Sequence, residues 1–404
     1  MNSANSQPGR IVRYLAHSPN DNGAGVPELL RDHLQAVADR AARFAAAFGA
    51  DEQARAAGLL HDLGKYADQF LRRLSDPREP GRDHWTVGAA LLAATARDLG
   101  IIPAITIAGH HTGLRQHALA VVGLCREIRD ALARNRDDFT ETNLGLLGQR
   151  FTNDGFTLPE VNCGLTISAQ REQFAADMLD VRMLFSALVD ADFLETETHF
   201  SGDARTPRRP RPEGPAIDLD KAIAALEEHV ERIRRRFHGV PMAAARESLY
   251  AQCVGAAACP PGLFSLSAPT GSAKTLAMLA FALHHARSHG LRRVVLVMPF
   301  LNIIEQTAAI YRQIFSSERG FDPNTILEHH SLAHCGDRPQ SHDEADYDES
   351  LRGLLVENWD APVILTTNVQ LLESLMAERP SRCRELHRLA QTGFLFDERQ
   401  TLPP

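Results

Sequence analysis

Five histidines and two aspartates are the residues of this chain whose types and order suit them best for chemistry. His33 lies on a helical stretch, and His61 and Asp62 follow in GLLHDLGKYADQF at the end of another. His84 stands in DHWTVGAA, His110 and His111 pair in AGHHTGL, and Asp192 closes the set in LVDADFLETE. A single helix histidine is usually satisfied by a backbone carbonyl. An ordered set of imidazoles and carboxylates on or beside helices is the ligand chemistry of a borderline metal ion, and imidazole suits manganese, nickel, cobalt, iron or zinc. Asp62 has two oxygens with which to bridge two ions. Two ions about 3.5–4 Å apart would clamp the attacking water and the leaving oxygen of a phosphodiester. Lys65, one turn after His61, would then neutralise charge on the phosphate. Lysine is scarce here: of 43 cationic residues only Lys65, Lys221 and Lys274 are lysines.

A second group lies far downstream. APTGSAKT at 268–275 follows the apolar run LFSLS and precedes the helical LAMLAFALHHA. A strand, a turn of small residues, Lys-Thr and a helix make a phosphate cradle of backbone N–H groups. Thr270, Gly271, Ser272 and Ala273 would line it, Lys274 would reach the terminal phosphates of ATP, and the Thr275 hydroxyl would ligate Mg²⁺. Ala273 occupies a position where this motif prefers glycine. A right-handed backbone tolerates alanine there, whereas positive φ makes the methyl harmful. In FLFDERQTLPP an apolar strand leads to Asp397, which would hold Mg²⁺ through water, and Glu398, which would polarise the attacking water.

The elements that must position these groups change in texture along the chain. From about Val26 to Leu194 the sequence reads as mostly helical, with Leu30, His33, Val37, Phe44 and Phe48 recurring at helical spacing. Gly100 looks like a helix stop after GAALLAATARDLG, and residues 135–170 look like an insertion or long loop. TPRRPRPEGP at 206–215 reads as an extended linker. A helix is expected over 218–237. Beyond Gly262, the apolar runs at 263–267, 294–300, 362–367 and 393–396 alternate with helical stretches, as in a parallel sheet with crossover helices.

The chain has 404 residues, 44% of them hydrophobic and 23% charged, and this length points to more than one domain. Its net charge of −8 confines any nucleic-acid contact to a local basic groove. No apolar run approaches the length of a membrane helix, the N-terminus lacks the apolar core of a signal peptide, and the six cysteines form no CxxC pair. These features fit reduced thiols and a cytoplasmic location.

HDLGK, HWTVGA, HHTGL and DADFLETE resemble the HD phosphohydrolase superfamily, and in detail its nuclease branch in CRISPR-associated helicase–nucleases of type I systems. VMPFLNIIEQT, LEHHS, ENWDAPVILTTNVQLLESL, SRCRELH and the phosphate loop resemble the first RecA-like domain of the superfamily 2 helicase in the same proteins. The resemblance implies a multidomain chain, an all-α HD domain followed by an α/β RecA-like domain that is incomplete at its C-terminus. The expected boundaries are 1–205 for the nuclease domain, 206–217 for the linker and 218–404 for the helicase domain. The resemblance further implies that His33, His61, Asp62 and Asp192 hold one divalent transition-metal ion (Mn, Ni, Co or Fe). Asp62, His84, His110 and His111 would hold the second. Asp190 is also available as the closing aspartate, and the ADF context selects Asp192.

By the same resemblance, Pro299, Phe300, Thr366 and Thr367 lie near single-stranded DNA, and Gln252 belongs to an adenine-recognition segment. The family's DEAQ or DEVQ is DERQ here. The sequence stops seven residues after Asp397, and the resemblance places a further strand and a second RecA-like domain beyond it, so the motor is expected to be incomplete in this chain. The implied activity is metal-dependent cleavage of single-stranded DNA joined to an ATP-driven helicase motor. Its setting is antiviral defence, with recruitment by a type I RNA-guided surveillance complex. The alternatives are an HD-type nucleotide phosphohydrolase and an inactive DNA- or complex-binding module.

Overall fold

A computed structural model describes residues 13–19, 25–76, 78–79, 83–114, 143–168, 170–239, 241–330 and 356–397. Glu398 and Arg399, with Ser331 of LEHHS, lie outside the described residues. The chain divides into two compact units. The first comprises Met1–Arg211 with Glu378–His387, and the second Pro212–Ala377 with Arg388–Pro404.

Among the described residues, the first unit is helical apart from one short antiparallel pair, β1 (Leu15–His17) and β2 (Glu28–Leu29). Its helices are α1 (Leu30–Ala45), α2 (Asp51–Leu60), α3 (Asp68–Ser75), α4 (Thr86–Thr95), α5 (Arg97–Gly109), α6 (Leu144–Asn153) and α7 (Phe174–Phe200). α1 buries Leu30, His33, Leu34, Val37, Ala38 and Ala41, a stripe at spacings of three and four, against a core shared with α2, α4, α5 and α7. Each fully buried leucine contributes about 1.5–3 kcal/mol to that packing. Half of the buried residues of α1 are alanines (Ala38, Ala41, Ala42 and Ala45), and His33 is fully buried beside them.

Two expectations fail in this unit. Gly100 does not stop a helix: it is buried inside α5, where a Cβ would stand 2.4 Å from the Leu92 carbonyl oxygen. Tight packing, not termination, calls for glycine there. Of the stretch 135–170, read as an insertion or long loop, residues 135–142 lie outside the described residues, and the long-loop alternative fails because α6 forms over Leu144–Asn153, capped by the Asn143 side chain, which accepts from Leu146 N–H at 2.9 Å.

The second unit is α/β. Among the described residues its helices are α8 (Leu219–Arg236), α9 (Ala243–Ala256), α10 (Lys274–His289), α11 (Leu301–Ile314) and α12 (Asn368–Met376). Its strands are β3 (Arg293–Met298), β4 (Ile326–His329), β5 (Val363–Thr367) and β6 (Thr392–Phe396). The strands form one parallel sheet in the order β4-β5-β3-β6. β3 and β5 are apolar runs buried on both faces, as strands covered by helices must be. β4 carries no such run and escaped the sequence pattern.

The run LFSLS, expected as a strand, pairs with none of these four. Leu263 is 97% exposed, and Phe264 and Leu266 are exposed as well. Without a ladder partner, its alternating apolar side chains have no sheet face to bury against. Among the described residues β6 pairs with β3 alone.

Candidate metal centre and phosphate loop

Asp62 follows the last turn of α2 and is 2% exposed. Its two oxygens face two different groups of imidazoles. Oδ2 lies 3.3 Å from Nε2 of His61 and 3.7 Å from Nε2 of His33. Oδ1 lies 3.3 Å from Nε2 of His84 and 3.7 Å from Nε2 of His110. Asp192, on α7, places Oδ1 3.4 Å from His33 Nε2 and 3.7 Å from His61 Nε2. His84 and His111 approach each other at 2.9 Å through their Nε2 atoms. Two ligand-type clusters result: His33, His61 and Asp192 in one, and Asp62, His84, His110 and His111 in the other, each with its ligand atoms within 4.8 Å of one another.

Glycine brings the loop of His84 against Asp62. Gly64 N–H donates to the His84 carbonyl at 2.9 Å, and a Cβ on Gly64 would stand 2.5 Å from the His84 Cα. A Cβ on Gly88 would stand 1.8 Å from the Leu60 carbonyl oxygen. The glycines of HDLGK and HWTVGA therefore let one segment lie directly on the other.

The protonation pattern suits a cation. A carbonyl can only accept, so His61 Nδ1–H donates to Gly58 O at 2.8 Å and His110 Nδ1–H donates to Ile107 O at 2.7 Å. Both rings thus turn Nε2 inward. Those Nε2 atoms, both ring nitrogens of His33 and Asp62 Oδ1 are buried without hydrogen-bond partners. Buried polar atoms left unpaired are costly, and a converging set of them is what a metal ion would satisfy. Burial alone would lower the His61 pKa, but the carboxylates of Asp62 and Asp192 push it up to about 10. Burial alone would raise Asp62, yet Lys65 and His61 hold it well below the usual carboxylate range.

Lys65 is nearly buried. Its Nζ lies 2.6 Å from Asp62 Oδ2 and donates to the Ala16 carbonyl at 3.2 Å. Asp190, the other aspartate weighed from sequence, faces away from the cluster, and its Oδ1 accepts from Arg384 Nε at 2.7 Å. The sequence reading missed the groups behind His33, namely His17 and Glu28, because strands of two or three residues leave no periodic trace.

In the second unit the phosphate-loop motif ends at the first turn of α10. Lys274 opens that helix, and Gly271 and Ala273 have φ of 81° and 63°. Ala273 is thus left-handed, the condition under which alanine is unfavourable. Ser272 is buried with no partner for Oγ, and Arg246 of α9 donates to the Gly271 carbonyl at 2.9 Å, a contact no motif signalled. Tyr311 Oη donates to the Thr275 carbonyl at 3.4 Å, and burial together with the nearby Asp397 carboxylate raises its pKa. Asp397 follows β6, its N–H bonded to the Val297 carbonyl at 3.0 Å. Gln252 is exposed on α9 and donates to Ser248 at 2.9 Å. Of the residues expected near DNA, Phe300 is 57% exposed, Thr366 is fully buried with its hydroxyl donated to the His329 carbonyl, and Thr367 caps α12.

Comparison with known proteins matches residues 30–135 to the HD domain and residues 225–398 to the res subunit of type III restriction enzymes. The chain carries an HD domain followed by a helicase-type domain. Its sequence is 31% identical over 204 residues to the CRISPR-associated nuclease/helicase Cas3 of Haloferax volcanii, which covers 48% of this chain and 20% of that protein. The crystal structure of T. fusca Cas3-ADP matches with a TM-score of 0.57 at 18% identity, over 96% of this chain and 47% of that one. T. fusca Cas3-ATP matches with a TM-score of 0.56 at 18% identity, over 98% and 48%. The chain spans about a fifth of the curated relative's length and just under half of the solved ones. The fold it shares with them is a helical HD domain joined to a helicase-like domain with a parallel sheet. Among the described residues no helix is long and apolar enough to cross a membrane.

Proposed function

We propose that this chain is a metal-dependent nuclease acting on single-stranded DNA, joined to the nucleotide-binding part of a helicase motor. The observation that carries the reading is the division of the Asp62 carboxylate, with Oδ2 toward His33 and His61 and Oδ1 toward His84 and His110. In this reading His33, His61, Asp62 and Asp192 hold one divalent ion, and Asp62, His84, His110 and His111 hold the other. The imidazole-rich donor set suits manganese, nickel, cobalt or iron. Bound there, the ions supply the Lewis acidity that generates a nucleophilic water and offsets phosphate charge. The chain's own contribution is preorganisation: Gly58 and Ile107 carbonyls fix the tautomers of His61 and His110, and Lys65 adds a cation beside Asp62.

Thr270–Thr275, with Asp397, Glu398 and Gln252, are proposed to serve ATP and Mg²⁺, the left-handed Ala273 weakening the cradle. The likeness to Cas3 supports a place in CRISPR antiviral defence, in the cytoplasm, with a type I surveillance complex as partner. The direct test is incubation of the full chain with Mn²⁺ and circular single-stranded DNA beside a panel of mononucleotides. Cleavage of the circle supports the nuclease reading. Turnover of mononucleotides alone would favour a nucleotide phosphohydrolase, and no turnover of either would favour a binding module.

A further inference from the structure

Each buried ligand imidazole needs a partner that fixes which nitrogen carries the proton. His61 and His110 find theirs three residues back, on the carbonyls of Gly58 and Ile107. His33 has no such carbonyl. Its Nδ1 makes no hydrogen bond, and the group facing it is the carboxylate of Glu28, whose Oε2 stands within ion-pair range at 3.4 Å. Glu28 is 3% exposed and lies on β2, opposite His17 in the register of the β1–β2 pair, directly before the helix that carries His33.

Two further contacts hold this carboxylate. His17 Nδ1–H donates to Oε2 at 2.8 Å, and Arg208 Nη1 donates to Oε1 at 2.8 Å. Arg208 Nη2 donates to Oε2 of Glu195 at 2.7 Å, and Oε1 of Glu195 accepts from Arg40 Nε at 2.7 Å. Glu195 stands one turn beyond Asp192 on α7, and Arg40 two turns beyond His33 on α1. One guanidinium from the proline-rich segment therefore ties the backs of the two helices that present His33 and Asp192. His17, Glu28 and His33 are close enough to be read as a third ion site. Against that, Glu28 already takes two hydrogen bonds, and Nε2 of His33 is turned to Asp62 and Asp192.

We propose that Glu28, locked by Arg208, is the positioning residue of the metal centre. It keeps the proton on Nδ1 of His33, so that Nε2 offers its lone pair to the ion shared with His61, Asp62 and Asp192. The inference rests on the metal reading above and deepens it: Arg208, outside the 1–205 stretch expected to form the nuclease domain, becomes part of the nuclease's support.

Full-length Glu28→Gln, Arg208→Ala and Arg208→Lys test this by chelator competition for Mn²⁺ and by the visible absorption of the Co²⁺-loaded protein. Glu28→Gln is expected to bind Mn²⁺ roughly 10- to 100-fold more weakly and to shift the Co²⁺ bands. Arg208 is 41% exposed at its side chain, so Arg208→Ala should stay folded if Glu28→Gln does not. It should show a smaller loss in the same direction, partly restored in Arg208→Lys. Wild-type affinity and unchanged Co²⁺ bands in Glu28→Gln and Arg208→Ala would overturn the proposal, as would an effect confined to thermal stability. His33→Ala separates the two levels: wild-type metal affinity in that variant would defeat the metal reading itself.

Discussion

Asp190 and Asp192 stand two residues apart on α7 and serve different ends. Asp192 Oδ1 lies 3.4 Å from His33 Nε2 in the ligand cluster, whereas Asp190 Oδ1 is paired at 2.7 Å with the buried guanidinium of Arg384. Arg384 belongs to Glu378–His387, the segment of the later sequence that folds with the first unit. In the same segment His387 bonds Ser186 of α7 at 3.0 Å. Asp192 therefore faces the histidine cluster, whereas Asp190 is bound in an ion pair with Arg384.

Removing one partner of a buried ion pair leaves the other charge uncompensated. Asp190→Ala should lower stability by about 3–5 kcal/mol and leave metal content intact. Asp192→Ala should do the reverse, losing metal with little loss of fold. Urea titration beside metal analysis of both variants checks the pair. Metal loss in Asp190→Ala without destabilisation would contradict the assignment.

Ala273 has φ of 63°, a conformation that disfavours a side chain by about 1–2 kcal/mol. Ala273→Gly should raise stability by a similar amount and tighten nucleotide binding in a fluorescent-ATP titration. Unchanged or weaker binding would show that the loop accommodates the methyl.

How much of this was legible in the sequence follows from what each feature depends on. The order of the histidines was legible, and the structure brings His33, His61, His84, His110 and His111 close to Asp62 and Asp192, although only His33 lies within a helix and the other four stand after helix ends or in a loop. The choice between Asp190 and Asp192 was open to sequence context, but the partner that removes Asp190 from the site lies 194 residues away, at Arg384. Glu28 was invisible because β2 is two residues long, and a tautomer anchor has no pattern of its own. LFSLS shows the converse: an apolar alternation is a strand only where a neighbouring strand completes its ladder.

Gly64→Ala should push the His84 backbone away from Asp62, since the new methyl would stand 2.5 Å from the His84 Cα. Bound metal should fall from two ions per chain toward one, measured by mass spectrometry on the folded variant. Retention of two ions would show that the loop yields without disturbing His84.

The metal-free protein should betray the cluster through pH. His61 is raised from 6.5 to about 10, so its stabilising contribution is complete below pH 6.5 and is lost as pH rises toward 10. The stability gap between metal-free wild type and His61→Gln, followed by urea titration, should narrow over that window. A gap that widens with pH would mean that His61 is not held protonated by Asp62 and Asp192.

Bound metal and DNA cleavage, measured together in wild type and Asp62→Ala, test the central claim most directly. The wild-type chain is expected to hold two transition-metal ions and to cut circular single-stranded DNA with Mn²⁺. Asp62→Ala is expected to lose both ions' shared carboxylate and, with it, cleavage. An Asp62→Ala protein that keeps its metal and still cuts DNA would contradict the account.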